Sequence, residues 1–139
     1  GIEAEGPAKG NTLIVPTEIV TLKTGDYQVS AMTGEGPAVE RKSLPDFIGT
    51  IVRHRERFER ELERLEAMIS GHVVVESDWD EILSRCDEFT LAPAKSLHRS
   101  VISWTLRYPT VHWHFCSNRI IAERTTFRIL QAFWKRVQG

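Results

Sequence analysis

The chain has 139 residues and a formal net charge of −1, with 41% hydrophobic and 27% charged residues, values typical of one globular domain. No apolar run reaches the roughly 20 residues that a membrane span requires, and no secretory signal opens the chain, so we expect no membrane partner. Two widely separated cysteines, Cys86 and Cys116, favour a reduced intracellular protein over a disulfide framework.

The first part of the sequence predicts a flexible leader followed by three strands. Residues 1–12 contain three Gly and one Pro without periodicity and indicate a leader or loop, so the folded domain is expected to span 13–139. Residues 13–22 are rich in Val, Ile and Thr and predict a strand interrupted at Pro16. Residues 27–32 and 38–42 predict two more strands, joined as a hairpin by a Gly- and Pro-containing loop.

A long charged helix is predicted next. Ser43 is placed to cap it, with Pro45 and Asp46 in the first turn, where both residue types are favoured. Apolar residues then recur at helical spacing from Phe47 to Ile69. The pattern therefore predicts one helix over residues 44–69.

The rest of the chain alternates strands and helices. Residues 72–76 predict a buried parallel strand after a helix stop at Gly71, and Ser77 with Asp80 indicates the start of a short helix over 78–87. A helix over 93–108, a strand over 111–116 and a helix over 119–137 capped by Asn118 complete the pattern, which predicts an α/β fold with a mixed sheet. In the last two helices, the apolar positions expected to face inward are Leu97, Val101, Trp104, Leu106, Ile120, Phe127, Leu130 and Trp134.

Two short motifs carry the candidate chemistry: Gly25-Asp26-Tyr27, and Val39-Glu40-Arg41-Lys42 with Asp46 shortly after it. Two carboxylates can hold a hard cation such as Mg²⁺, which activates a bound water and neutralises charge on a phosphate. Residues two apart in a strand share a face, so Glu40 and Lys42 are expected to project together, and Lys42 could then orient the attacking water. This combination suits metal-assisted phosphodiester hydrolysis. The alternative is a hairpin whose acids only form surface salt bridges.

The pattern G-D-Y followed by V-E-R-K-x-x-x-D resembles the signature of the XPF-type structure-specific endonucleases, a branch of the PD-(D/E)-x-K nuclease superfamily. Segments 43–48, 57–62 and 73–76 follow in the family's order, and the resemblance extends from Leu13 to Trp134. It implies a restriction-endonuclease-like fold, with a mixed central sheet flanked by helices. It also implies hydrolysis of branched or flap-like DNA in repair or recombination, with Mg²⁺ or Mn²⁺ as cofactor. The implied location is the cytoplasm or nucleoid, or the host cytoplasm for a viral member.

The resemblance assigns roles to the motif residues. Asp26 and Glu40 correspond to metal-binding acids, assisted by the backbone carbonyl of Arg41, and Lys42 corresponds to the catalytic lysine. Asp46 lies in the motif, but capping of a helix N-terminus is the preferred interpretation over direct catalysis. The Arg41 side chain is expected either to contact DNA or to form a scaffold ion pair with Asp46.

Further candidates for the site and for DNA binding lie in the second half of the chain. Glu76 matches a family acid at the end of a strand, although an ordinary strand-end carboxylate is nearly as good an interpretation. Residues 93–139 carry eight basic residues against one acid, whereas residues 1–92 carry 10 against 18 acids. Within the basic part, Arg119, Arg124 and Arg128 recur along one helix and could grip phosphates. A solvated helix, an acidic partner, or pairing with a second copy or a partner subunit are the alternatives for this surface.

Several other residues have a functional and a structural interpretation. His112 and His114 share a strand face and could ligate zinc, but no third histidine or cysteine has a suggestive spacing, so core or surface histidines are preferred. Trp79 could stack on a base, although a core position is the expectation. Arg53 and Arg57 could contact DNA, with a solvated helix face as the simpler interpretation.

The sequence departs from the family in two respects. The family fold usually opens with a strand bearing an acid followed by x-Arg-Glu, whereas residues 2–5 lack this arginine and the apolar run of a strand. Because the chain begins with Gly1, that strand is expected upstream in a parent protein, or else lost. The tandem helix-hairpin-helix domain of many relatives is also not seen. The alternative function is therefore an inactive nuclease-like module that binds DNA or a partner.

Overall fold

The computed structural model describes the backbone of residues 2–5, 12–15, 19–20, 28–29 and 37–138, and the side chains of residues 37–136. From residue 37 onward, helices separate the successive strands, as predicted. The strands are β1 Ile2–Glu5, β2 Thr12–Val15, β3 Ile19–Val20, β4 Gln28–Val29, β5 Pro37–Lys42, β6 Ser70–Val75 and β7 Val111–Phe115. The helices are α1 Leu44–Val52, α2 Arg55–Glu66, α3 Trp79–Arg85, α4 Ala94–Arg107 and α5 Arg119–Gln138, with a 3₁₀ turn at Cys86–Glu88.

In the described part of the chain, the central sheet consists of three parallel strands in the order β5-β6-β7. One face carries Ala38, Val73 and Val75 and packs against α1, α2, α3 and α4 in the main core. The opposite face carries Val39 and Val74 and packs against α5. Both faces of this parallel sheet are thus covered by helices, which confirms the predicted α/β class.

The N-terminal strands differ from the prediction. Residues 2–5, predicted as part of an irregular leader, form β1, which pairs antiparallel with β2. The single strand predicted over 13–22 is divided into β2 and β3, on either side of the Pro16 interruption that the sequence predicted. Among the described residues β4 pairs with β3. Most of the strand predicted over 27–32, and the loop predicted to join it to 38–42, lie outside the described residues, so the predicted hairpin is not tested.

The predicted long helix is two helices. α1 begins as expected, since Ser43 Oγ accepts a hydrogen bond from the Asp46 N–H at 3.4 Å. It ends at Arg53, and α2 starts after His54, whose backbone is not helical. No apolar side chain lies between Val52 and Phe58 to anchor a continuous helix on the core. The break lets both helices bury their own apolar faces.

Three residues of the predicted apolar helix faces are exposed: Ile69 at 64%, Leu106 at 79% and Ile120 at 64%. Ile69 lies beyond the end of α2, which the prediction placed at residue 69. Leu106 and Ile120 each lie two residues from a buried position, Trp104 and Ala122 respectively. Two residues correspond to about 200° around a helix, so these side chains lie on the opposite face.

Helix caps fix the approach of the later helices to the sheet. Asp78, and not Ser77, caps α3, because its Oδ1 accepts from the Glu81 N–H at 2.9 Å. Asn118 caps α5 as predicted, accepting from the Ile121 N–H at 2.9 Å. Gly71, the second residue of β6, lies close to α2, and a Cβ there would be 2.4 Å from the Leu65 carbonyl oxygen.

None of the helices in the described part of the chain has the length and apolar composition needed to cross a bilayer.

Candidate active site

Glu40 and Lys42 lie together on one face of β5 near its carboxyl end, as the two-residue period predicted. The Lys42 Nζ atom is 3.7 Å from Glu40 Oε2, and the two side chains are 21% and 15% exposed. They are therefore largely shielded while still reaching solvent. A half-buried lysine beside a carboxylate can present positive charge to a phosphate without being mobile.

Phe58 of α2 completes the surroundings of Lys42. The Lys42 Nζ atom lies 5.4 Å from the centre of the Phe58 ring, within the range of a cation–π contact. Phe58 is 4% exposed and packs against Trp104 and Trp113. The Lys42 ammonium thus lies against an aromatic ring that is itself packed into the core. The helical stripe of the sequence marked Phe58 as a core residue but gave no sign of this contact.

Arg41 projects to the opposite face of β5 and forms a short ion pair with Glu76. The two side chains are 2% and 12% exposed. The Glu76 N–H also donates to the Lys42 carbonyl at 2.8 Å, which continues the pairing of β5 with β6 past the last ladder residue. The prediction of an ion pair between Arg41 and Asp46 is wrong, and the burial of Arg41 does not support a DNA contact by its side chain. Glu76 is engaged as a structural partner.

The other predicted site residues are spread over the fold. Asp46 is exposed in the first turn of α1, near a helix N-terminus that favours an acid. Asp26 and Tyr27 lie outside the described residues, so the structure does not test the first motif. Arg119, Arg124 and Arg128 are exposed on α5, and the last two are one helical turn apart. Trp79 is half-buried and packs against Phe47, Phe115 and His98, as expected for a core residue.

Three histidines meet on the α5 side of the sheet. His72 pairs with His112 across β6 and β7, and its Nδ1 atom lies 2.9 Å from His114 Nε2. Sequence spacing alone does not bring His72 to the other two, because it lies on a different strand. In the described part of the chain no group of three His, Cys, Asp or Glu side chains is placed to hold a metal ion. The zinc interpretation is therefore not supported there.

Acid should destabilise the protein through His72. Burial, reinforced by the nearby His114 and His112, lowers the pKa of His72 to about 4 from an ordinary value of 6.5. Between these values the unfolded state binds more protons, so the free energy of unfolding should fall as the pH falls from about 6.5 towards 4. Urea denaturation at a series of pH values should give a flatter pH profile for His72→Asn. The exposed His98→Asn should keep the wild-type slope, and an unchanged slope in His72→Asn would contradict this assignment.

The oxygen atoms at the end of β5 are of the kind that a hard divalent cation prefers. Glu40 offers a carboxylate and Arg41 a backbone carbonyl, and oxygen ligands of this kind suit Mg²⁺ and Mn²⁺. Both atoms belong to the sheet edge that carries Lys42. The second carboxylate expected from the sequence is that of Asp26.

Comparison with known proteins gives the family. The ERCC4 domain matches residues 8–130, and no curated protein sequence matches the chain. XPF from Aeropyrum pernix is 17% identical with a TM-score of 0.57, covering 85% of this chain and 48% of that one. A second structure, XPF from Aeropyrum pernix in complex with DNA, is 18% identical with a TM-score of 0.55, covering 84% and 50%. The chain spans about half the length of these relatives and shares their fold. Because the match covers most of the sequence, the chain belongs to the ERCC4 domain family.

Proposed function

We propose that this domain is a Mg²⁺- or Mn²⁺-dependent endonuclease that hydrolyses phosphodiester bonds in branched or flap-like DNA. The observation that carries the proposal is the pairing of Glu40 with Lys42 at the end of β5, where the two side chains lie 3.7 Å apart and largely shielded from solvent, within a domain of this family. The A. pernix relative was solved with DNA, which supports DNA as the ligand class.

Each residue has a defined part in the proposed reaction. Glu40, Asp26 and the Arg41 carbonyl would hold the cation, which when bound supplies a more acidic water and charge neutralisation at the phosphate. The Lys42 ammonium would orient the attacking water and stabilise the charge that develops on the phosphate. Phe58 and Glu40 keep that ammonium in place, so little reorganisation is needed when the substrate arrives.

DNA would be held chiefly through its phosphates. Arg124 and Arg128 form an exposed basic pair on α5, and Arg119 is exposed at the start of that helix. Contacts of this kind carry no sequence information, which agrees with selection of DNA by shape. We also propose that α5 takes part in pairing with a second copy or a partner subunit, since Ile120 and Ile121 are exposed beside these arginines.

Cleavage of a panel of labelled DNAs tests the function. Flap, fork, four-way junction and plain duplex should be incubated with Mg²⁺, Mn²⁺ or EDTA, and we expect metal-dependent cutting of the branched substrates. Glu40→Gln and Asp26→Asn should each abolish it, whereas Glu63→Gln, at an exposed acid on α2, should not. If the Glu40→Gln protein still cuts DNA, Glu40 is not part of the active site and the proposed site is wrong. Absence of cutting in every condition would favour an inactive nuclease-like module instead.

A further inference from the structure

An arginine-lined cleft lies where α1 ends and α2 begins. Its volume is about 390 Å³, and its polar lining consists of Arg53, His54, Arg55, Glu56, Arg57 and Arg60. Four guanidinium groups therefore face one carboxylate around a single open depression. None of these residues belongs to the Glu40–Lys42 pair or to the basic surface of α5, so the cleft has no role in the function as described so far.

Within the part of the chain that the structure describes, most of this positive charge has no carboxylate partner. Arg55 is engaged, since it donates to Ser100 Oγ at 2.8 Å and lies 3.7 Å from Glu59. Arg53, Arg57 and Arg60 are exposed, and in the described residues they form no ion pair and no side-chain hydrogen bond. Guanidinium groups are planar donors that match the oxygens of a phosphate. An arginine cluster in which guanidinium groups outnumber carboxylates is suited to an anionic ligand.

The cleft lies close to the candidate active site along the fold. Arg57 precedes Phe58, the residue whose ring supports the Lys42 ammonium. α1 spans nine residues between the end of β5 and the cleft. That length is about 13 Å at 1.5 Å per residue, or roughly four nucleotides at the 3.4 Å rise per nucleotide along the axis of a DNA duplex. A strand with one phosphate at Lys42 can therefore reach the cleft with a neighbouring phosphate.

The start of α2 adds donors to the same place. His54, at the N-cap position, makes no side-chain capping hydrogen bond, whereas Ser43 and Asp78 do so for α1 and α3. The backbone N–H groups of the first turn are then available beside the arginines. They supplement the arginine cluster, which is the principal feature of the cleft.

We infer that the cleft at the α1–α2 junction binds backbone phosphates of the DNA substrate a few nucleotides from the bond that is cut. The inference rests on the proposed function and deepens it by giving the substrate strand a second point of attachment beside Lys42. Because the contacts are to phosphates, the cleft contributes affinity and register without base preference. It also supplies a location for the DNA contacts of Arg53 and Arg57.

DNA binding without metal tests the inference separately from cleavage. Fluorescence anisotropy with a labelled fork in EDTA, at a series of KCl concentrations, should be compared between wild type, Arg53→Gln/Arg57→Gln and a control, Lys95→Gln/Arg99→Gln. The control removes two exposed charges four residues apart on α4. The cleft variant should bind about tenfold more weakly or worse at 0.1 M salt and lower the salt slope by about two, since each lost phosphate contact removes about one.

The outcomes separate the inference from the proposed function. An unchanged affinity and slope in the cleft variant, an equal loss in the control, or no DNA binding by the wild type would each overturn the inference. Thermal unfolding should be unchanged in both variants, because all four side chains are exposed. If the binding result holds but no metal condition gives cutting, the cleft is a DNA site and the proposed nuclease reaction fails.

Discussion

Replacing Lys42 by methionine should lower the rate of DNA cleavage about 10²- to 10³-fold, the usual cost of removing one preorganised electrostatic group. The ammonium lies between Glu40 and the Phe58 ring, so its position is fixed before the substrate binds. Methionine keeps an unbranched stem against Phe58 and removes only the charge. Single-turnover cleavage of the preferred substrate, at saturating protein, reports this step without contributions from binding.

The control for this result is Lys95→Met, which removes an exposed lysine on α4 and should leave the rate unchanged. DNA binding in EDTA should change little in Lys42→Met, because one charge among several phosphate contacts is lost. A Lys42→Met protein that cleaves within threefold of wild type would contradict the proposed role. Weak binding with a normal single-turnover rate would make Lys42 a binding residue only.

Replacing Glu76 by glutamine should lower the free energy of unfolding by about 3 kcal/mol, since the buried Arg41 guanidinium would lose its ion pair with this carboxylate. The Arg41 and Glu76 side chains are only 2% and 12% exposed. Urea denaturation monitored by tryptophan fluorescence measures the change. The comparison is Glu88→Gln, which breaks an exposed pair with Arg85 and should have little effect.

A double replacement distinguishes a structural pair from a catalytic carboxylate. Arg41→Met/Glu76→Leu should recover much of the stability lost in Glu76→Gln, because buried pairs can be exchanged for apolar residues of similar volume. Cleavage per folded molecule should also be retained in Glu76→Gln if Glu76 serves only the fold. A loss of cleavage in fully folded Glu76→Gln would instead make this carboxylate part of the site.

Sequence periodicity predicted the second half of the fold well because each element there is marked locally. Asn118 caps α5. β6 and β7 coincide with segments that are rich in Val or aromatic residues and that have turn signals at their ends. The break at His54 was not predicted, since the charged residues around it are good helix formers and only packing on the core separates the two helices. The exposed Leu106 shows the same limit, because an apolar residue need not lie on the buried face.

The sequence predicted those features of the candidate site that lie within one strand. It did not predict the contacts that join several elements. The shared face of Glu40 and Lys42 follows from the two-residue period alone. The Phe58 contact, the Glu76 partner of Arg41 and the approach of His72 to His114 all join residues far apart in sequence. Such pairs depend on strand order and helix packing, which the local pattern does not contain.

Under the proposed function, the adjacent residues Glu40, Arg41 and Lys42 would be subject to two different kinds of selection. Strand alternation sends the first and third to the solvent-reaching edge and the second into a buried pair with Glu76. A relative that has lost its reaction but kept its shape would therefore be free to vary at Glu40 and Lys42. It would still have to retain Arg41 and Glu76 or exchange them together. The residue at position 41 would therefore indicate that the fold is kept, and the residues at positions 40 and 42 would indicate whether the proposed reaction is kept.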